Sequence, residues 1–148
     1  MKLLSRRESA RALLALGLSF TMACEGSTSP AASTVVTTAS VAGTWTSVLA
    51  YSGLSYPFSL TLFQTQGVVS GMGLIRDEQG THVMSVSNST VVGSGVTLVM
   101  DYTSGMGASV RMTITGTVTK GTIITGVVNV VSPQPPPANI AIVLNKTG

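Results

Sequence analysis

The stretch Ser109-Val110-Arg111-Met112-Thr113-Ile114-Thr115-Gly116-Thr117-Val118-Thr119-Lys120-Gly121 decides how the chain folds. Val110, Met112, Ile114 and Val118 fall on one face, while Arg111, Thr113, Thr115 and Thr117 fall on the other, the period of two expected of a half-buried strand. Lys120-Gly121 then supplies the positive φ of a tight hairpin. A second strand follows at Thr122–Val131, so this region is antiparallel sheet.

The same pattern extends in both directions. Val96, Leu98, Met100 and Tyr102 oppose Thr97, Val99 and Asp101. Gln66-Gly67 is a second two-residue turn, and Asp77-Glu78-Gln79-Gly80 and Ser104-Gly105-Met106-Gly107 form longer hairpin loops. Strands are expected near Thr44–Tyr51, Phe58–Thr65, Val68–Ile75, His82–Val92, Val96–Tyr102, Ser109–Thr119, Thr122–Val131 and Ile140–Asn145. The composition, rich in Val, Thr, Ile and Ser with recurrent Gly and no sustained helical period, agrees.

A glycine recurs inside strands in Val69-Ser70-Gly71, Ile114-Thr115-Gly116 and Ile124-Thr125-Gly126. Interior glycine weakens a strand, and relief of crowding at a sharp bend is its usual return. Eight short strands joined by local turns close most simply as an all-β, antiparallel up-and-down meander barrel, which leaves no edge exposed. Two packed sheets, a β-sandwich, are the alternative. The organisation expected is a helical signal peptide over residues 1–23, a lipidated cysteine and disordered tether over 24–40, and the barrel over 41–148.

Charge has to be read without the leader. The chain carries a formal charge of +3, but Lys2, Arg6, Arg7 and Arg11 against Glu8 account for all of it. Beyond the leader, Arg76, Arg111, Lys120 and Lys146 balance Glu25, Asp77, Glu78 and Asp101. Nucleic-acid binding needs clustered Lys and Arg to meet phosphates and is not expected.

Residues 1–24 have the layout of an export signal: a basic start, the uncharged run Ala12–Ala23, and small Ala23 before Cys24, the single cysteine of the chain. The run is shorter than the roughly 20 residues of a transmembrane helix. Thr21-Met22-Ala23-Cys24 resembles the lipobox of bacterial lipoproteins, although that family usually has Leu where this chain has Thr21. The resemblance implies cleavage before Cys24 and acylation of its thiol, with two or more acyl chains giving stable attachment to a lipid bilayer. An ordinary secreted protein is the alternative. Ser5-Arg6-Arg7 is similar to the start of a twin-arginine signal, with Ser9 where a hydrophobic residue is usual.

Glu25-Gly26-Ser27-Thr28-Ser29-Pro30 opens a small, polar tether whose reach is roughly 20–25 Å as a flexible coil. Glu25 is not the Asp that marks inner-membrane retention in some lipoproteins, so anchoring in the cell envelope at the outer membrane is expected.

Gly43-Thr44-Trp45 holds the single tryptophan and is similar to the Gly-x-Trp start of lipocalins and avidin-like barrels, where the tryptophan closes one barrel end. Met100-Asp101-Tyr102 partly matches the lipocalin Thr-Asp-Tyr motif. The avidin family lines its biotin site with several tryptophans, so biotin binding is not carried over. Trp45 as plain core filler is the other reading.

Catalysis has few residues to draw on. His82 is the single histidine, so metal sites built on several imidazoles are excluded, and no Gly-x-Ser-x-Gly elbow occurs. Asp77 and Glu78 are expected to point into solvent, and Arg111 and Asp101 to form a solvated ion pair. No enzyme activity, cofactor or metal is expected. A membrane pore is disfavoured because most expected strands are shorter than about 9–11 residues and the aromatics form no girdles.

Two functions fit. In one, Trp45, Tyr51, Phe58, Leu60, Leu62, Met100 and Met112 line a pocket for a small apolar ligand. In the other, the core is filled and the module serves a structural, adhesive or protein-binding role in the envelope, through its Thr-rich wall or the loop Pro133-Gln134-Pro135-Pro136-Pro137.

Overall fold

Alternation that places one apolar face on every strand leaves that face to be buried, and a meander can bury it on itself by closing. The computed structural model, which describes residues 37–133 and 138–148, does so. The expected leader, Cys24, most of the tether and Gln134–Pro137 of the proline loop lie outside the described residues.

The strands are β1 (Gly43–Tyr51), β2 (Leu54–Thr65), β3 (Val68–Asp77), β4 (Gly80–Val92), β5 (Gly95–Thr103), β6 (Ser109–Thr119), β7 (Ile123–Val131) and β8 (Ala138–Lys146). Each pairs antiparallel with its sequence neighbours, and β1 meets β8 to close an eight-stranded barrel, not a sandwich. Closure uses Trp45 opposite Lys146 and Thr46 opposite Asn145, reinforced by Ser47 Oγ donating to the Val143 carbonyl at 2.7 Å. Other neighbouring strands pair over much longer stretches, as from Thr103 opposite Ser109 to Gly95 opposite Thr117.

Both residues of Gln66-Gly67 have positive φ, 50° and 82°, as the primed hairpin turns require. Ser52-Gly53 has the same conformation, at 52° and 77°. That turn lets β2 begin at Leu54, before the Phe58 expected from sequence.

The interior glycines mark where strands press together. Gly116 lies opposite Gly126. A Cβ on Gly116 would come within 2.5 Å of the Thr125 carbonyl oxygen, and one on Gly126 would strike Thr115. The β6 and β7 backbones approach too closely there for a side chain on either strand. In β4, Asn88 turns to φ 51° and the register shifts between Ser87 and Thr90. Ser89, fully buried, fills the gap: its hydroxyl donates to the Ser87 carbonyl at 3.0 Å and accepts from Val99 N–H at 2.7 Å.

The inward faces form one apolar core that includes Trp45, Leu60, Leu98, Met100, Ile114 and Leu144, all at 0% exposure. The outer wall carries hydroxyls and the Asp101–Arg111 pair, which face each other across β5 and β6 with Nε–Oδ1 at 2.7 Å and Nη2–Oδ2 at 3.2 Å. Strands run from 9 to 13 residues, longer than expected, so length does not separate this barrel from a membrane-spanning one. The interior is apolar, whereas transmembrane barrels have polar interiors.

The two ends differ. At one, Thr37–Ala42 crosses beneath the strands, and Val41 is inserted as a plug with 0% exposure. Gln64 clamps the crossing by accepting from Val41 N–H at 2.7 Å and donating to the Ala39 carbonyl at 3.0 Å. Trp45 Nε1 donates to the Val41 carbonyl at 2.7 Å, with Lys146 Nζ 5.7 Å from its ring centroid. The other end is open.

Candidate functional site at the open end of the barrel

Continuing the inward parity of each strand toward the open end predicts which side chains meet there. On β1 it leads from Trp45 through Leu49 to Tyr51; on β2, backward from Phe58 to Tyr56; on β5, from Met100 to Tyr102. These residues and their neighbours enclose a cavity of about 390 Å³. Leu49, Ile75, Val110, Met112 and Val130 form its apolar lining near the core. Tyr51, Tyr56 and Tyr102 bring three phenols to it, and Asp77, Glu78, Ser104 and Ser132 supply the polar edge. The volume lies within the range of small-molecule sites, and an apolar pocket with a few converging polar groups is their usual make-up.

The sequence-expected pocket residues separate by depth. Tyr51 and Met112 line the cavity. Trp45, Leu60, Leu62 and Met100 lie in the packed core, with exposures of 0–1%. Phe58 is buried and lines a different hollow, an open depression of about 860 Å³ along the β1–β8 seam that it shares with outer-wall residues such as Val48, Leu74 and Val143. That depression is larger, but the cavity at the mouth is more enclosed and continues the core.

The β3–β4 loop is arranged differently from the sequence expectation. Glu78 is exposed, but Asp77 is turned inward. Its Oδ1 accepts from the backbone N–H groups of Gln79 at 2.8 Å and Gly80 at 3.0 Å, and lies 2.8 Å from His82 Nε2. The physical reason is the turn itself: an aspartate at its first position satisfies the N–H groups two and three residues on. The ring of His82 lies beside that of Tyr102, with centroids 6.1 Å apart. Tyr102, Asp77 and His82 thus form one group at the rim.

Carboxylates outnumber cations at the mouth, where Asp77 and Glu78 face the cavity and Arg76 lies in an adjoining outer hollow. Burial, followed by the negative charge of Asp77, raises the Tyr102 phenol above its ordinary value. Tyr56 is raised by burial, then by Glu78 and Asp77. The cavity lining contains two carboxylates and neither Lys nor Arg. Among the described residues no three His, Cys, Asp or Glu side chains gather closely enough to hold a metal ion.

Sequence reasoning missed Tyr56, Tyr102, Ile75, Val110 and Val130 as lining residues. Parity gave their inward direction. What it lacked was the position of the plug, which makes one end of an otherwise uniform core solid and leaves the other hollow.

No family model matches the chain, and no curated protein matches it. Among solved structures, the crystal structure of Rv2717c from M. tuberculosis is similar at 12% identity and a TM-score of 0.43, over 73% of this chain and 93% of that one.

Proposed function

We propose that this barrel is a membrane-anchored lipoprotein of the cell envelope that binds a small, largely apolar molecule at its open end without transforming it. The observation that carries the binding reading is the asymmetry of the core: one end is plugged by Val41 over Trp45, while the other holds a half-enclosed hollow of about 390 Å³ with an apolar floor. A filled, purely structural barrel has no use for a hollow placed at one end only.

The anchored reading rests on the lipobox-like stretch Thr21-Met22-Ala23-Cys24. Thr37–Ala42 packs at the closed end of the barrel. The mouth, opposite, is left open to a ligand. Partners are accordingly a lipid bilayer through Cys24 and a small apolar molecule.

Both parts can be tested on the full chain expressed in a bacterial host. Cys24→Ser should move the protein from the membrane fraction to the soluble fraction; unchanged fractionation overturns the anchor. Naphthalene-sized apolar probes should raise the melting temperature, and Val130→Phe, which fills the cavity from its wall, should abolish that rise. A stable barrel whose melting temperature no such probe moves is a filled module, and its function then lies on its outer wall.

A further inference from the structure

Resting on that reading of the mouth, we propose that its ligand is an amphiphilic organic cation, an apolar body carrying an ammonium group. Three features of the site point the same way. The apolar floor of Leu49, Val110, Met112 and Val130 takes up a hydrocarbon body. Above it, the rings of Tyr51, Tyr56 and Tyr102 converge on the same opening; aromatic faces attract cations through their quadrupole, and quaternary ammonium groups are recognised in this way. The charge of the lining completes the selection, because it contains Asp77 and Glu78 and no Lys or Arg, the exposed Arg76 belonging to an adjoining hollow outside it.

The rest of the barrel gives this sign a direction. Asp101 is neutralised by Arg111 on the outer wall, and Lys120 and Lys146 lie at the closed end, in the β6–β7 turn and at the end of β8. Arg76 is exposed beside Asp77 and shares an outer hollow with Tyr56 and Glu78, so the open end carries two carboxylates against one guanidinium while the closed end carries two ammonium groups. A carboxylate or sulfate headgroup would meet Glu78 and Asp77 with no countercharge in the lining. An uncharged alcohol gains the floor but not the field. An ammonium group gains both, since cation–π attraction strengthens as the cation leaves water.

The two carboxylates differ in role. Asp77 Oδ1 is committed to Gln79 N–H, Gly80 N–H and His82, so it holds the rim in shape and contributes its charge at a distance. Glu78 is exposed on the same turn and can be altered without loss of a buried contact.

The test uses the full chain and three probes of matched chain length, octyltrimethylammonium, 1-octanol and octyl sulfate, titrated below their micelle concentrations by calorimetry. The ammonium probe should bind about tenfold more tightly than the alcohol, with the sulfate weakest. Glu78→Gln should cut the preference for ammonium over alcohol about threefold, and Glu78→Lys should abolish or reverse it. Tyr102→Leu should weaken the ammonium probe more than the alcohol. Equal binding of alcohol and ammonium, or a preference for sulfate, overturns the cation assignment while leaving an apolar site in place. Failure of all three probes to bind overturns the site itself.

Discussion

Asp77 and His82 are joined across the β3–β4 turn, Oδ1 to Nε2 at 2.8 Å, with both side chains largely withdrawn from solvent at 12% and 13% exposure. Because the same oxygen accepts from Gln79 and Gly80 N–H, the aspartate fixes the loop and orients the imidazole together. Removing it takes a partner from the exposed Gln79 N–H and from the part-buried Gly80 N–H and His82 ring, a loss of about 1 kcal/mol by the usual net worth of a hydrogen bond. Asp77→Ala should therefore lower the chemical-denaturation midpoint clearly, and His82→Ala should lower it less. A midpoint for Asp77→Ala within error of wild type would mean that the turn stands without its cap.

The phenols at the mouth make alkaline stability informative. Tyr102 and Tyr56 are both raised, so the folded state holds their protons more tightly than the unfolded chain does. The stabilisation from a raised group is fully present below its unfolded pKa and is lost as pH rises through the folded value. For these tyrosines that window begins near pH 10 and runs above it. Phenolate absorbance should show a component titrating later than free tyrosine, and Tyr102→Phe should remove much of it.

Gly116 and Gly126 face each other where β6 and β7 press together. A methyl group at either position meets backbone, which cannot swing aside as a flexible side chain can. Gly126→Ala should destabilise the barrel by about 1–3 kcal/mol, the usual range for overpacking, read as a lowered midpoint with an unchanged slope. An unchanged midpoint would show that the strands can separate without cost.

Leu60 is inside the barrel at 0% exposure. A carboxylate there has no partner, and the penalty for burying it approaches the whole stability of a domain, about 5–15 kcal/mol. Leu60→Asp should give no cooperative melting transition. A folded, cooperatively melting variant would contradict the inward register of β2.

The architecture was legible because the two-residue period fixes both the strands and the side each residue faces. Val110, Met112, Ile114 and Val118 are buried as their alternation predicts, and Gly71, Gly116 and Gly126 lie where a neighbouring strand comes too close for a side chain. The limits came from features that period does not encode. Ser52-Gly53 is a weaker turn signal than Gln66-Gly67, so β2 begins at Leu54, ahead of the Phe58 that the pattern predicts. The inward rotation of Asp77 depends on local hydrogen bonds to its own turn, which an eye for charge alone assigns to solvent. Above all, the depth of each inward residue depends on Val41 entering one end, a contact between the segment before β1 and the glutamine near the end of β2. Trp45, Leu60, Leu62 and Met100 thus became core and Tyr56 and Tyr102 became rim, although all share one parity.

The central claim is that the open end holds a small molecule. Native mass spectrometry of the full-length Cys24→Ser chain, purified from cells without detergent and then denatured to release anything bound, tests it most directly. The account predicts a stoichiometric adduct of small mass that Val130→Phe eliminates, and a released compound bearing an apolar body and a positive charge. Bare protein under these conditions, with no adduct restored by adding apolar or ammonium probes, would contradict it.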